Sequence, residues 1–407
     1  MIKYNYSYKF QIYPSVSQQI ILSKQFGGCR FIYNYFLNKR INLYKEEGKS
    51  INYYDCAKQL KELKQEFEWL SETNAQSLQA SLETLDVAYT NFFKYKLGFP
   101  KFKSKYDKQA YKIKQGIDIR NNKIKIPKIG LLKFDNHRTV VGRIISATIS
   151  KDSCNNYFIS ICTEKEREQI TKVVVEDSKV VGIDMGIKNL AILSNSQVIP
   201  NLRLTNQFAR LIKLKQRKLA KKDKGSNRRN LVKTQLAKLH KHIANKRQDY
   251  IQKTTTKIIN KNQVIIVEDL AIKNMVKNHK LAKAIIDCSW AEFIRQLEYK
   301  AKWQDKIVYK INRFYPSSKM CSKCGFINQN LTLKDRLFIC PVCNHKQDRD
   351  EQASQNIKTF GLKDILNQTR DGKSRCDEQG GYQLWQASNG VSYLLDCETV
   401  ANELLKI

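Results

Sequence analysis

Apolar side chains fall on alternate positions at the start of the chain, Tyr4, Tyr6, Tyr8, Phe10 and Ile12, until Pro14 interrupts them. A period of two lays one face of a strand against a core, and this strand has no hairpin partner nearby. The period then lengthens. Leu22, Phe26, Cys29, Tyr33 and Phe36, and later Leu78, Leu82, Leu85, Tyr89 and Phe92, step by three and four as one face of a helix does, and Gly98 and Pro100 end the second series. Residues 17–97 read as a helical block. Beyond Tyr111 the alternation returns, with Ile117, Ile119, Ile124 and Ile126 flanking Asn121-Asn122, a pair suited to a hairpin turn. Runs at 144–150 and 157–162 bracket a turn-rich stretch from Asp152 to Asn156. The solitary first strand is expected to join this set as a small barrel or curled sheet, with the helical block inserted.

A third region begins near Lys179. VVGID, a turn through Gly186, NLAIL and the short run Val198-Ile199 predict a meander of strands. Phe208, Leu211, Leu214 and Leu219 mark a helix, Gly225-Ser226 breaks it, and Val232, Leu236, Leu239, Ile243, Tyr250, Thr254 and Ile258 mark a longer one. Then follow a buried-type strand at 264–267, an amphipathic helix through Trp290, Phe293, Ile294, Leu297 and Ala301, a strand at 306–311, a cysteine-rich insert, and a helix from about Asp350 to Phe360. Strands alternating with helices in this way define an α/β region.

The chain has 407 residues, 42% of them hydrophobic, enough for about two or three domains with real cores. No stretch approaches the ~18 apolar residues of a membrane span, and MIKYNYSYKF lacks the apolar segment of a secretory signal. A soluble, cytoplasmic protein without a membrane partner or a small-molecule substrate is expected. Against 38 Asp+Glu stand 73 Lys+Arg, a net charge of +35, and a polyanion is the natural partner for such a field. An AT-rich genome would also enrich Lys, Asn, Ile and Tyr. It would not cluster the charge: residues 201–250 hold 16 bases and 2 acids, residues 101–133 hold 11 and 2, and residues 371–407 hold 3 and 6. Lys221, Lys222, Arg228 and Arg229 are the candidate contacts to a nucleic-acid backbone, with a solvated helix face as the alternative. His240 and His242 are two apart on a helix and so make a poor metal pair.

Two groups of residues carry chemistry. CSKC and CPVC, fifteen residues apart, place Cys321, Cys324, Cys340 and Cys343 as two thiolate pairs that can grip opposite sides of a tetrahedral ion. Soft sulfur selects zinc, and four sulfurs leave no open position, so the zinc is expected to be structural. The second group is acidic. Asp184 interrupts VVGIDMG, Glu268 ends VIIVE, and Asp350 lies where the last helix begins. A charge at the end of an apolar strand is costly unless a cation or hydrogen bonds compensate it. Three such acids in one α/β unit can hold two Mg²⁺ or Mn²⁺ ions for in-line hydrolysis of a phosphodiester.

GIDMGIKNLAIL, VIIVEDLAIKNM, RFYPSSKMCSKCG and CPVCNHKQDRDEQASQNI, in this order, resemble the TnpB family of insertion-sequence-encoded proteins and, more distantly, type V CRISPR effectors. The likeness runs from GCRFIYNYFL and GFPKFKSK to about Ile357. It implies an RNA-guided DNA endonuclease: an RNase H-like (RuvC) nuclease domain over 176–312 and 348–370, with a zinc ribbon at 313–347 inserted. It further implies a β-barrel (wedge) domain from 1–16 and 105–175, interrupted by a helical recognition domain at 17–104. Asp184, Glu268 and Asp350 would bind the catalytic metals, and the partners would be a guide RNA from the element's end and target DNA. Spacing alone does not separate Asp350 from Asp348 or Glu268 from Asp269; the resemblance does. Asn344 stands where the family has Gly in the second knuckle, and Ser354 where it has Ala. Asn accepts the left-handed turn, so the zinc site is expected to survive. The intact acids argue against a nuclease-independent binding regulator. A transposase that cuts and joins element ends remains the alternative within the enzyme class. Residues 371–407 match nothing and read as a mobile tail.

Overall fold

A computed structural model of the chain describes residues 1–168, 172–332, 335–370, 382–386 and 392–396. It forms two compact units, Met1–Glu168 and Gln169–Ile407.

The first unit runs β1 (Ile2–Tyr13), α1 (Val16–Glu47), α2 (Tyr53–Glu66), α3 (Ala75–Tyr95), β2 (Gln109–Ile113), β3 (Asp118–Arg120), β4 (Lys123–Ile126), β5 (Gly130–Phe134), β6 (Arg143–Lys151) and β7 (Tyr157–Arg167). Pro14 stops β1, and Ser15 starts α1 with a capping box: its Oγ accepts from the Gln18 amide while the Gln18 side chain accepts from the Ser15 amide. The strands pair antiparallel in the order β2-β6-β7-β1-β5-β4-β3. The first strand therefore finds its partner at the far end of the unit, from Ile2 beside Arg167 to Ile12 beside Tyr157. Asn121 takes the left-handed turn between β3 and β4, at φ 50°. Phe10, Ile12 and Ile159 from the sheet and Leu22, Phe36 and Leu82 from the helices share one buried core.

The second unit comprises β8 (Lys172–Val175), β9 (Val180–Asp184), β10 (Asn189–Leu193), β11 (Val198–Pro200), α4 (Leu204–Gln207), α5 (Ala209–Ala220), α6 (Asn227–Lys261), β12 (Val264–Glu268), α7 (Ile272–Met275), α8 (His279–Cys288), α9 (Trp290–Trp303), β13 (Ile307–Ile311), β14 (Leu337–Ile339), β15 (Lys346–Asp348), α10 (Arg349–Arg370), β16 (Tyr382–Gln386) and β17 (Ser392–Asp396). Five strands form a sheet in the order β11-β10-β9-β12-β13. Its first three are antiparallel, and β9, β12 and β13 are parallel. Both faces are covered, which is why the central strands β9 and β12 are continuously apolar up to their last residues, Asp184 and Glu268. Val181, Ile183, Ile265 and Val267 pack with Ile251 and Ile258 of α6 and Phe293 and Leu297 of α9. Val180, Val264 and Ile266 pack with Ile357, Leu362 and Ile365 of α10.

Two expectations change. The last helix continues past Phe360 to Arg370, because Leu362 and Ile365 extend its apolar face over the sheet. Within the stretch read as a mobile tail, β16 and β17 pair antiparallel and β17 adds parallel to β8, supplying main-chain partners to that edge. The rest of residues 371–407 lies outside the described residues.

Candidate functional site

Period-two parity decides where the acids go. Val180 faces α10, so Gly182 and Asp184 do as well; Val264 and Ile266 face α10, and so does Glu268. Ile183 and Val267 are direct neighbours in parallel register, one residue before the two carboxylates, which therefore sit side by side at the C-terminal ends of adjacent strands. Strand spacing sets those ends about 4.8 Å apart. Asp350 comes from the first turn of α10, the helix that covers this face. Its approach depends on Gly182, where a Cβ would lie 2.2 Å from the Ser354 carbonyl oxygen.

The electrostatics record the convergence. Burial, then the charges of Glu268 and Asp350, push the Asp184 carboxyl up to about 8. Burial also raises Glu268, opposed by a hydrogen bond that Ser317 Oγ donates to its Oε1 at 2.7 Å. Asp350 is partly exposed, with Arg336 Nη1 4.0 Å from its Oδ2. The acids that spacing left open are employed elsewhere. Asp348 caps α10, accepting from the amides of Asp350 at 2.9 Å and Glu351 at 3.2 Å. Asp269 is paired with Arg313. The three remaining carboxylates are electrostatic neighbours, but their oxygens are not drawn into a closed set: among the described residues, only the four cysteine sulfurs form a group of three or more ligand atoms lying within 4.8 Å of one another. A half-buried carboxylate pair raised toward neutrality, with a third acid beside it, is a donor set that suits hard divalent cations.

The cysteine insert is closed. Cys321 Sγ is 3.6 Å from Cys343 Sγ, and Cys324 Sγ is 3.5 Å from Cys340 Sγ. A tetrahedron with zinc–sulfur bonds of about 2.3 Å has edges of about 3.8 Å, so the arrangement fits that ion. Gly325 and Asn344 take the left-handed turns of the two knuckles, at φ 73° and 55°, and Asn344 N–H bonds to the Cys340 carbonyl at 3.0 Å. Burial alone would raise the Cys340 thiol; the amides of Cys343 and Val342 outweigh it and bring the group down to about 7. Phe338 of β14 packs behind Cys321 and Cys340.

The basic candidates divide. Lys221 and Arg228 are exposed and Lys222 is half-buried, between α5 and α6. Arg229 is half-buried, and its Nη1 donates to the carbonyls of Leu219 at 2.8 Å and Lys222 at 2.7 Å, closing the C-terminal end of α5. It serves the helix turn first. His242 stacks edge-on with Phe208, a packing role. Ser317 escaped the sequence reading, which used RFYPSS only as a family marker; a hydroxyl just before the first knuckle was the available signal.

Comparison with known proteins places this geometry. A family model described as "Probable transposase" matches residues 160–279, and one described as "Cas12f1-like, TNB domain" matches residues 290–357. A third, "Helix-turn-helix domain", matches residues 1–49, where this chain forms β1 and the single helix α1. A solved Cas12f1–sgRNA–target DNA complex contains a chain with the same fold, at TM-score 0.57 and 15% identity, covering 88% of this chain and 99% of that one. The class is thus a mixed α/β protein of Cas12f1-like fold carrying a four-cysteine insert. Two bacterial relatives are named as RNA-guided DNA endonucleases. One, from Streptomyces pristinaespiralis, is 31% identical over 363 residues, 88% of this chain and 89% of its own length. The other, InsQ of Escherichia coli K12, is 32% identical over 374 residues, 87% and 92% of the two chains. The chain belongs to the TnpB family of IS605-type proteins.

Proposed function

We propose that this chain is an RNA-guided DNA endonuclease, taking a guide RNA and a target DNA as its partners and working inside the cell. The names of its full-length relatives and the Cas12f1-like fold support this reading. Among the described residues no helix is long and apolar enough to cross a membrane. In this reading the second unit is a RuvC-like nuclease domain of RNase H-like topology with an inserted zinc ribbon. The seven-stranded sheet is the wedge barrel, and α1–α3 are the recognition helices. Asp184, Glu268 and Asp350 hold two Mg²⁺ or Mn²⁺ ions. The chemistry such ions would supply there is activation of water and neutralisation of the charge developing on the phosphodiester, for a hydrolysis that would leave a 5′-phosphate and a 3′-hydroxyl. The chain's own contribution is positioning: two carboxylates on adjacent strand ends and a third on the covering helix, with Asp348 and Asp269 kept out by a cap and an ion pair. Cys321, Cys324, Cys340 and Cys343 hold a structural zinc.

The observation that carries the reading is the placement of Asp184 and Glu268 at the C-terminal ends of adjacent parallel strands, on the face covered by α10, whose first turn holds Asp350. The test is cleavage of guide-matched DNA by the chain loaded with its co-purifying RNA. Wild type should cut only with Mg²⁺ or Mn²⁺ and the matched guide, and Asp184→Ala should bind DNA but not cut it. Undiminished cleavage by that variant would refute the site. The transposase-type family match keeps strand joining as a second reading; RNA-independent joining of a 3′-hydroxyl to target DNA would establish it instead.

A further inference from the structure

The loop between β13 and the first cysteine knuckle is tied at once to one of the three acids and to the helix that carries another. Ser317 is 5% exposed and gives its hydroxyl proton to Glu268 Oε1. Its own carbonyl accepts from Asn356 Nδ2 at 2.7 Å. The Met320 carbonyl, one residue before Cys321, accepts from Asn356 Nδ2 at 2.7 Å and from Gln352 Nε2 at 2.6 Å. Gln352 and Asn356 are 0% and 1% exposed and lie one turn apart on α10, the helix whose first turn brings Asp350. Tyr315 stacks on Phe360 of the same helix, ring centroids 3.7 Å apart. One helix thus delivers one acid and grips the loop that restrains another.

A glutamate side chain ending a strand keeps freedom about its last torsion, and its carboxylate can turn either oxygen forward. A hydrogen bond to one oxygen removes that freedom, as outer partners of metal-binding carboxylates do. The donor must itself be held, and two buried amides that would lose their acceptors if the loop moved supply that hold. We propose that Ser317 is a positioning residue for Glu268, clamped by Gln352 and Asn356, so that anchoring of the cysteine insert sets the presentation of this carboxylate to the cation. The proposal rests on the nuclease reading above.

The test compares Ser317→Ala with Ser317→Thr, which keeps the hydroxyl, in the full RNA-loaded chain. Ser317→Ala should lower kcat about tenfold with KM for target DNA unchanged, the lower end of the range for lost outer partners of a metal ligand. Independently of turnover, Mn²⁺ binding followed by electron paramagnetic resonance, taken as the difference from Asp184→Ala, should weaken by a similar factor. Zinc content should stay at the wild-type ratio, and Ser317→Thr should restore both kcat and Mn²⁺ affinity. Unchanged kcat and Mn²⁺ affinity in Ser317→Ala, or equal impairment of Ser317→Thr with zinc retained, would overturn the proposal while leaving the nuclease reading intact. If Ser317→Ala fails to fold, Ser317→Thr decides alone: near-wild-type kcat supports the hydroxyl's role, and a tenfold loss opposes it. Wild-type protein that neither cleaves nor binds Mn²⁺ through Asp184 would instead remove the nuclease reading, and this proposal with it.

Discussion

Gly182 of β9 and Ser354 of α10 meet backbone to backbone: a Cβ on Gly182 would fall 2.2 Å from the Ser354 carbonyl oxygen and 2.5 Å from the Lys358 amide nitrogen. Neither atom belongs to a flexible side chain, so Gly182→Ala must push strand and helix apart, at a cost of about 3 kcal/mol. Gly361→Ala meets instead the side chain of Ile266, at 2.3 Å. Both variants should melt at lower temperature. Cleavage at a temperature where both are folded should fall much further in Gly182→Ala, because its backbone clash with Ser354 lies one turn from Asp350, whereas Gly361 lies about three turns along the same helix and meets only a side chain. Equal cleavage by the two would mean that the helix contact does not position the acid.

Asp184 destabilises the metal-free protein at neutral and high pH. Its folded-state carboxyl titrates at about 8 against an ordinary value near 3.8, so the folded state binds the extra proton across this window and stability is lost as pH rises through it. Asp184→Asn should therefore raise the melting temperature of cation-free protein at pH 8 and have little effect at pH 4. A thermal melt series at the two pH values checks this, and addition of Mn²⁺ should stabilise wild type more than the variant.

Lys300 has the opposite sign. Its ammonium is buried among Gln252 O, Thr255 Oγ1 and Thr256 Oγ1, at 2.7 to 2.9 Å, and desolvation brings it down to about 8 from 10.5. The unfolded chain binds the extra proton between those values, so stability rises with pH there. Lys300→Met should abolish that rise. Urea midpoints of the two proteins, subtracted at pH 7.5 and pH 10, should differ; a constant difference would contradict the argument.

Removal of zinc should open the insert, since four thiolates are its principal core and few apolar groups stand behind them. Cys340→Ser, or incubation with a strong chelator, is expected to lower bound zinc from one per chain and expose residues 321–347 to proteolysis while the five-stranded sheet persists. Elemental analysis with limited digestion reads both effects. An intact insert in zinc-free protein would show that packing alone holds it.

Legibility in the sequence followed the distance over which each feature is built. The cysteine pairs, the hairpin at Asn121 and the long helices are local, and spacing or turn chemistry revealed them. The partnership of β1 with β7 was readable only as an unpaired strand seeking a set. Helices α7 and α8 and the strands β16 and β17 were not read, since their short or unpatterned segments acquire structure from neighbours. Arg229 looked like its exposed neighbour Arg228 because charge runs do not reveal which guanidinium turns inward.

The order of residues alone specified that Asp184 interrupts one apolar run and Glu268 ends another, and that four sulfurs come in two pairs. These follow from covalent periodicity. Which acids lie together was decided only in three dimensions: parallel register set two strand ends side by side, a missing Cβ at Gly182 let α10 come close, and Asp348 and Asp269 are engaged by a helix cap and an ion pair. Proximity between residues far apart along a chain depends on how elements pack, and packing is a property of the whole core rather than of any motif.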